Sequence, residues 1–452
     1  MNCTTKVRRK TFGVQFTPAQ LLFLHFQAIV AKFVGNKRIK TMKQFIVSAL
    51  LAVVAFASAL AFDYNSGRAS LSPYPERTAS AQYPDSLTPV FINHVGRHGS
   101  RYPASSHFTM LIHRALERAE REKTITPLGR LFKADVERVI SATANRWGEL
   151  DSIGEREHIG IAERMFANYP QLFFDSHVVA ISSSSPRCIH SMYAATGTLA
   201  RKAKGISLST SSGPEFSPLM RNFDLDSLYL EYRRDTAYTS TYNRFAAANI
   251  TIDPLLRILG ERFPLDYDKV YDLALAEYYV IAGMNCMGLK VDVSKYFTVE
   301  EYRRMWSVFN FRQYLLYSAS TLSQQPARLA APLLRDIITT ADDALQGKST
   351  ASAKLRFGHA ETLMPLLALM QVPGCYYLTN YYDTVADNWH DYESFPMAAN
   401  LQLVYFSSPS GTVYVKAYLN EQPVKLLRGS KSDIVSWKQL RLHLYELLPL
   451  DY

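Results

Sequence analysis

Thr88–Val95 (TPVFINHV) alternates apolar and polar residues, is rich in β-formers and stops at Gly96, the pattern of a strand that delivers the chain into a loop. Two further short segments have the same character, His177–Ser182 (HVVAIS) and Ala353–Phe357 (AKLRF), the latter stopping at Gly358. Helical spacing follows each of them: His107–Glu122 and Leu128–Trp147 after the first, Cys188–Lys204 after the second, Thr362–Met370 after the third. Strands that alternate with helices imply an α/β core. From about Leu225 to Gly347 the pattern is mainly helical, with an amphipathic run at Arg328–Leu345, and implies a cap inserted into that core. Beyond Ala399 the period returns to two, and Leu401–Phe406 and Thr412–Leu419 predict a hairpin about the turn Ser407–Gly411. No period of 20–50 residues points to a solenoid.

The chain carries 50 Lys and Arg against 40 Asp and Glu, a formal charge of +10 that invites a nucleic-acid reading. The excess sits at the front. Residues 1–61 hold nine basic residues and no acidic one, and the rest of the chain is balanced to within one charge, so a basic-surface argument for nucleic acid or anionic membranes fails. The same segment explains its charge: Lys43 precedes the apolar run Phe45–Phe56, which ends in Ala59-Leu60-Ala61, the parts of a secretory signal starting at Met42. Residues 1–41 are then an upstream extension or alternative start, 42–61 the signal, and the mature chain begins near Phe62 with no stable membrane span; an uncleaved signal would anchor it in a membrane. Within residues 62–452 the core is expected over about 86–224 and 350–452 and the cap over about 225–347. Export permits disulfides, and Cys188, Cys286 and Cys375 allow one bridge and one free thiol, with no pairing readable. Asn249-Ile250-Thr251 is a glycosylation sequon, and no C-x-x-C or Cys/His cluster suggests zinc.

The loop after the first strand reads Arg97-His98-Gly99-Ser100-Arg101-Tyr102-Pro103. Two guanidiniums flank an imidazole at the carboxyl end of a strand, where open α/β sheets bind ligands. Arg forks match phosphate oxygens bidentately, nearby positive charge keeps His98 neutral and nucleophilic, and Gly99 lets the backbone come close. His94, on the alternating strand, is expected to pack beneath the site.

R-H-G-x-R-x-P resembles the signature of the histidine acid phosphatases, a branch of the phosphoglycerate-mutase-like superfamily; five fixed positions arise by chance on the order of 10⁻⁴ of the time. Ser182–Cys188 (SSSSPRC) resembles that family's block with a third phosphate-binding arginine, Arg187. Gly358-His359-Ala360-Glu361 stands where most of the family has His-Asp, and His-Ala-Glu is similar to the multiple inositol polyphosphate phosphatases, the phytase-like group. Weaker echoes are Leu219–Asp224, Pro396–Asn400 and Leu419–Val424, whereas several cysteines expected near the late segments are absent. The resemblance implies a mixed sheet flanked by helices with an inserted helical cap. It also implies a secreted enzyme without metal or cofactor, acting on a small phosphorylated substrate. In that reading His98 attacks phosphorus, Arg97, Arg101, Arg187 and His359 hold its oxygens, and Glu361 protonates the departing inositol oxygen, with a mildly acidic optimum. A broad-specificity acid phosphatase or bisphosphoglycerate phosphatase is the alternative. An idle anion-binding surface protein would normally show a broken nucleophile or arginine set, and here the set is intact.

Overall fold

The computed structural model describes residues 62–450 except Ser80, so the expected extension and secretory signal lie outside the described residues. Its strands are β1 Thr88–Arg97, β2 His177–Ser182, β3 Ser207–Ser212, β4 Ala351–Gly358, β5 Asn400–Ser407, β6 Val413–Leu419, β7 Gln422–Val424 and β8 Ile434–Ser436. They form one sheet in the order β3-β2-β4-β1-β5-β6-β7, with β8 beside β6. β2, β3, β4 and β1 run parallel, whereas β5 pairs antiparallel with β1 and leads into the antiparallel hairpin. This is the mixed α/β sheet the sequence implies, with helices on its faces and a strand-free helical stretch between β3 and β4.

The principal helices are α1 His107–Arg121, α2 Pro127–Thr143, α3 Ser152–Asn168, α4 Pro186–Lys202, α5 Thr236–Asn249, α6 Asp253–Leu259, α7 Val270–Gly283, α8 Val299–Tyr317, α9 Ala331–Leu345, α10 Ala360–Leu369 and α11 Trp437–Leu447. Seven consecutive residues of β1 are buried, because helices cover both faces of a central strand. Period two divides them: Phe91 and Val95 join the larger core shared with the helical insertion, and Ile92 faces the smaller core under α3 and α4. His94 points the same way as Ile92 and lies buried 5.3 Å from the Phe357 ring, beneath the site as expected.

The insertion is tied to the rest at two levels. α1 and α2 follow the R-H-G loop yet pack on α6 and α7: the Thr126 hydroxyl donates to the Arg257 carbonyl at 2.6 Å, and a Cβ on Gly129 would strike the Ile258 carbonyl at 2.0 Å. α9 lies against the sheet, where the fully buried Arg356 of β4 bonds Asp336 at 2.7 Å, Asn93 at 2.8 Å and Thr340 at 2.9 Å. α8 begins with a capping box between Thr298 and Glu301, and Glu301 also takes both arms of Arg257 at 2.8 and 2.7 Å.

One expectation is overturned. Among the described residues there is no disulfide: Cys188, Cys286 and Cys375 are all free and buried. Each has its own seat, Cys188 donating to the Gly358 carbonyl, Cys286 to the Leu71 carbonyl, and Cys375 packed where its carbonyl accepts from the Trp389 indole. Three thiols built into three separate parts of the core do not meet, and burial raises each to about 12. The sequon Asn249 lies at the end of α5, its amide donating to the Phe245 carbonyl at 2.9 Å. No helix among the described residues is long and apolar enough to cross a membrane.

Arg356 is the deepest polar junction between insertion-side helix and sheet. Arg356→Met is expected to lower unfolding free energy by about 3–5 kcal/mol, because it strands the side chains that now converge on the guanidinium. Urea denaturation checks this, and a loss below 1 kcal/mol would show that the junction is dispensable.

Candidate active site

The ends of β1, β2 and β4 meet at one edge of the sheet, and each releases a segment that the sequence singled out. Parallel pairing sets Arg97 beside Gly358 and Ser182 beside Phe357, so the R-H-G loop, the serine-rich turn and the H-A-E turn begin at the same level. The backbone fixes them further: His98 donates its amide to the Gly358 carbonyl at 2.9 Å and accepts from Ala398 at 3.0 Å, while Arg97 donates to Ala399 at 2.8 Å. Ala398 makes this clamp with a left-handed φ of 55°, a conformation a non-glycine residue holds only where its surroundings enforce it. Gly99 lies against Gly154 at the start of α3, where an added Cβ would come within 2.5 Å of backbone. Glu157 of α3 completes the frame, accepting from the Ser100 amide and hydroxyl at 2.7 Å each.

All six expected site residues come together. His98, Arg97, Arg101, Arg187 and Glu361 line one cleft of about 440 Å³. His359 adjoins it, with its ring centroid 5.7 Å from that of His98. His98 is 3% exposed, and its Nδ1 stands 2.9 Å from the Gly99 carbonyl. A carbonyl can only accept, so Nδ1 carries the proton and Nε2 keeps its lone pair. Burial first, then Arg97, Arg187, Arg101 and His359, hold the His98 imidazole well below the usual histidine range. The flanking positive charge expected from the sequence is thus the smaller cause, and desolvation the larger.

The guanidiniums are anchored without carboxylates. Arg97 donates to the Ser70 and Phe395 carbonyls at 2.6 and 2.7 Å, Arg101 to the Tyr102 carbonyl at 2.9 Å, and Arg187 approaches His359 Nδ1 at 3.3 Å. The Nε of each is buried with no partner. Burial and Arg101 pull Arg97 down to about 10, which still leaves it charged at neutral pH. His359 is likewise held well below the usual range, by burial and then by Arg187 and Arg221. Both its nitrogens face arginine donors, Nδ1 toward Arg187 and Nε2 toward Arg221 at 3.1 Å, and a neutral imidazole can accept at only one. The cluster has donors in excess, and its chemical capacity is to hold an oxyanion. Among the described residues no group of three or more His, Cys, Asp or Glu side chains is placed to hold a metal ion.

Two participants escaped the sequence reading. Arg221 reaches His359 and the Ser185 hydroxyl, its far side braced by Asp224 at 2.9 Å. It lies inside the Leu219–Asp224 echo, so a trace of it was visible without a role. Ser183 bonds His359 Nε2 at 2.9 Å and was one unremarkable serine among four.

Residues 90–420 match the family model described as histidine phosphatase superfamily (branch 2). A multiple inositol polyphosphate phosphatase 1 from Gallus gallus is 26% identical over 411 residues, covering 84% of this chain and 86% of the relative. Among solved structures, the apo form of a Bifidobacterium longum multiple inositol polyphosphate phosphatase superposes with a TM-score of 0.73 at 19% identity, over 85% of this chain and 99% of that one. The phytase of D. castellii gives 0.61 at 15% identity, over 84% of each. At these identities the structural likenesses establish the fold.

The buried imidazoles supply a direct check. Because their folded values lie below the ordinary 6.5, both rings stay neutral as pH falls through that value. In a histidine-selective NMR titration from pH 7.5 to 5, the shifts of His98 and His359 are expected not to move. A midpoint near 6.5 for either ring would contradict the desolvated cluster.

Proposed function

This chain belongs to branch 2 of the histidine phosphatase superfamily, and from that premise we propose that it dephosphorylates inositol polyphosphates through a phosphohistidine at His98. It is a phosphomonoesterase of histidine acid phosphatase type acting on phosphorylated small molecules. The observation that carries the nucleophile assignment is the Nδ1 bond to the Gly99 carbonyl, which aims a free Nε2 lone pair into a cleft walled by guanidiniums.

In the first step Nε2 forms a bond to phosphorus as the ester P–O bond breaks, and the leaving oxygen takes a proton from Glu361. In the second, water attacks phosphorus, its proton passes to the Glu361 carboxylate, the N–P bond breaks and inorganic phosphate leaves. Arg97, Arg101 and Arg187 offset charge on the non-bridging oxygens throughout, and His359 donates to one of them with Arg221 behind it. Glu361 is assigned the acid role because its side chain lines the same cleft as His98. The inositol reading draws on the relatives: the Gallus gallus protein is named for that activity, and the Bifidobacterium longum protein has been crystallised with inositol hexasulfate. The signal-like residues 42–61 support a place in the secretory pathway.

His98→Ala is expected to abolish phosphate release from inositol polyphosphates and from p-nitrophenyl phosphate, with wild-type activity unaffected by EDTA. Rapid quenching of wild type with labelled ester, kept out of acid, is expected to leave label on the protein. Unlabelled protein or loss of turnover on chelation counts against the mechanism. Glu361→Gln is expected to slow inositol phosphate hydrolysis about 10²- to 10⁴-fold and p-nitrophenyl phosphate much less, since nitrophenolate leaves without a proton. Equal losses on both would remove Glu361 from the acid role.

A further inference from the structure

The cleft has two chemically unlike halves. Its floor is the cationic cluster about His98, and its far wall comes from α5, α7 and α8 of the insertion together with the start of α1. Helical spacing decides what that wall presents: on α8, Phe309, Arg312 and Gln313 share a face, and on α7, Asp272, Leu275 and Tyr279 do. Phe108 of α1 packs its ring 5.2 Å from that of Tyr279, which in turn lies 6.2 Å from Phe309, so the middle of the wall is aromatic.

Three polar groups interrupt the aromatic surface. Arg312 is exposed to solvent within the cleft, beside the Tyr238 phenol. Gln313 holds a buried side-chain oxygen with no hydrogen-bond partner. Asp272 is an exposed carboxylate whose field reaches Tyr242, the same ring that Arg312 acts on. One cation calls for one anion. An orphan acceptor calls for a donor, which a hydroxyl supplies and an ionised phosphate does not, and a carboxylate repels phosphate while accepting from a hydroxyl.

Resting on the inositol reading above, we infer that Arg312 is a specificity-determining residue that binds a single remote phosphate. Gln313 and Asp272 take free hydroxyls, and the aromatic wall covers the C–H face of the ring. The preferred substrate is therefore an inositol ring carrying few phosphates, one at His98 and one at Arg312, and the hexakisphosphate is disfavoured because its remaining phosphates meet a carboxylate and apolar rings. In reaction order this enzyme acts late, on products of a phosphatase that has already stripped the more highly charged rings.

The test compares kcat/KM for an inositol bisphosphate, inositol hexakisphosphate and p-nitrophenyl phosphate. Wild type is expected to favour the bisphosphate over the hexakisphosphate; the reverse preference overturns the inference. In Arg312→Ala the ratio of bisphosphate to p-nitrophenyl phosphate is expected to fall about 10- to 100-fold, the loss of one charge-assisted anion contact, with part of it restored in Arg312→Lys. An unchanged ratio removes the subsite. Asp272→Asn is expected to raise the hexakisphosphate relative to the bisphosphate, and no rise would free Asp272 from the excluding role. If wild type cleaves p-nitrophenyl phosphate and no inositol phosphate, the inositol reading fails on its own. The Arg312 ratio measured with 2,3-bisphosphoglycerate then decides the remote anion subsite separately.

Discussion

Three guanidiniums and two neutral imidazoles share one largely buried cluster, with backbone carbonyls for anchors in place of carboxylates. Gathering like charges away from water opposes folding, and a nearby carboxylate would relieve that strain only by cancelling the field that an incoming phosphate needs. The structure keeps the field. Glu361 is the acid placed within the cleft at the cluster, and Asp224 braces Arg221 from the outer side. What makes the arrangement tenable is a backbone that leaves the side chains nowhere else to go.

That backbone is held from several directions. β4 and the Pro396–Asn400 segment clamp His98 and Arg97 by main-chain bonds, α3 presses glycine against glycine beneath the loop, and Glu157 holds Ser100. The insertion adds a fourth support at Asp391, a fully buried carboxylate. It accepts from the Trp306 indole of α8 and from the Ser70 amide, and the carbonyl of Ser70 in turn receives Arg97. Burial lifts Asp391 to about 6, so its two donors also keep it ionised near neutral pH.

Much of this was legible because it rests on periodicity and on residues clustered in sequence. β2 was read with its observed bounds, and β1 and β4 to within two residues at each end, since central strands bury both faces and advertise it. β3 was missed because an edge strand made of Ser207–Ser212 carries little apolar signal; its polarity is what protects an open edge. α3 is not evident from the sequence pattern although Asp151 caps it, nor is α11 beyond the hairpin. The arginines flanking His98 announced themselves by adjacency, whereas Arg221 and Ser183 act through an imidazole more than 130 positions away and leave no local spacing to read. The disulfide expectation followed from compartment alone, and packing placed the three thiols out of one another's reach.

The Trp306–Asp391–Ser70 chain has a bearing on how such a protein can diversify. The helix that carries Arg312 into the cleft is the same helix whose indole steadies the carboxylate behind Arg97. The cleft wall and the buried anchorage are thus carried on one rod. Redesigning its outward face by substitution leaves that anchorage intact, but rotating or shortening the rod strands a buried acid and loosens Arg97. New tastes in this scaffold are accordingly reached by exchanging side chains on a fixed helix, while wholesale grafting of the insertion carries the catalytic centre along with it.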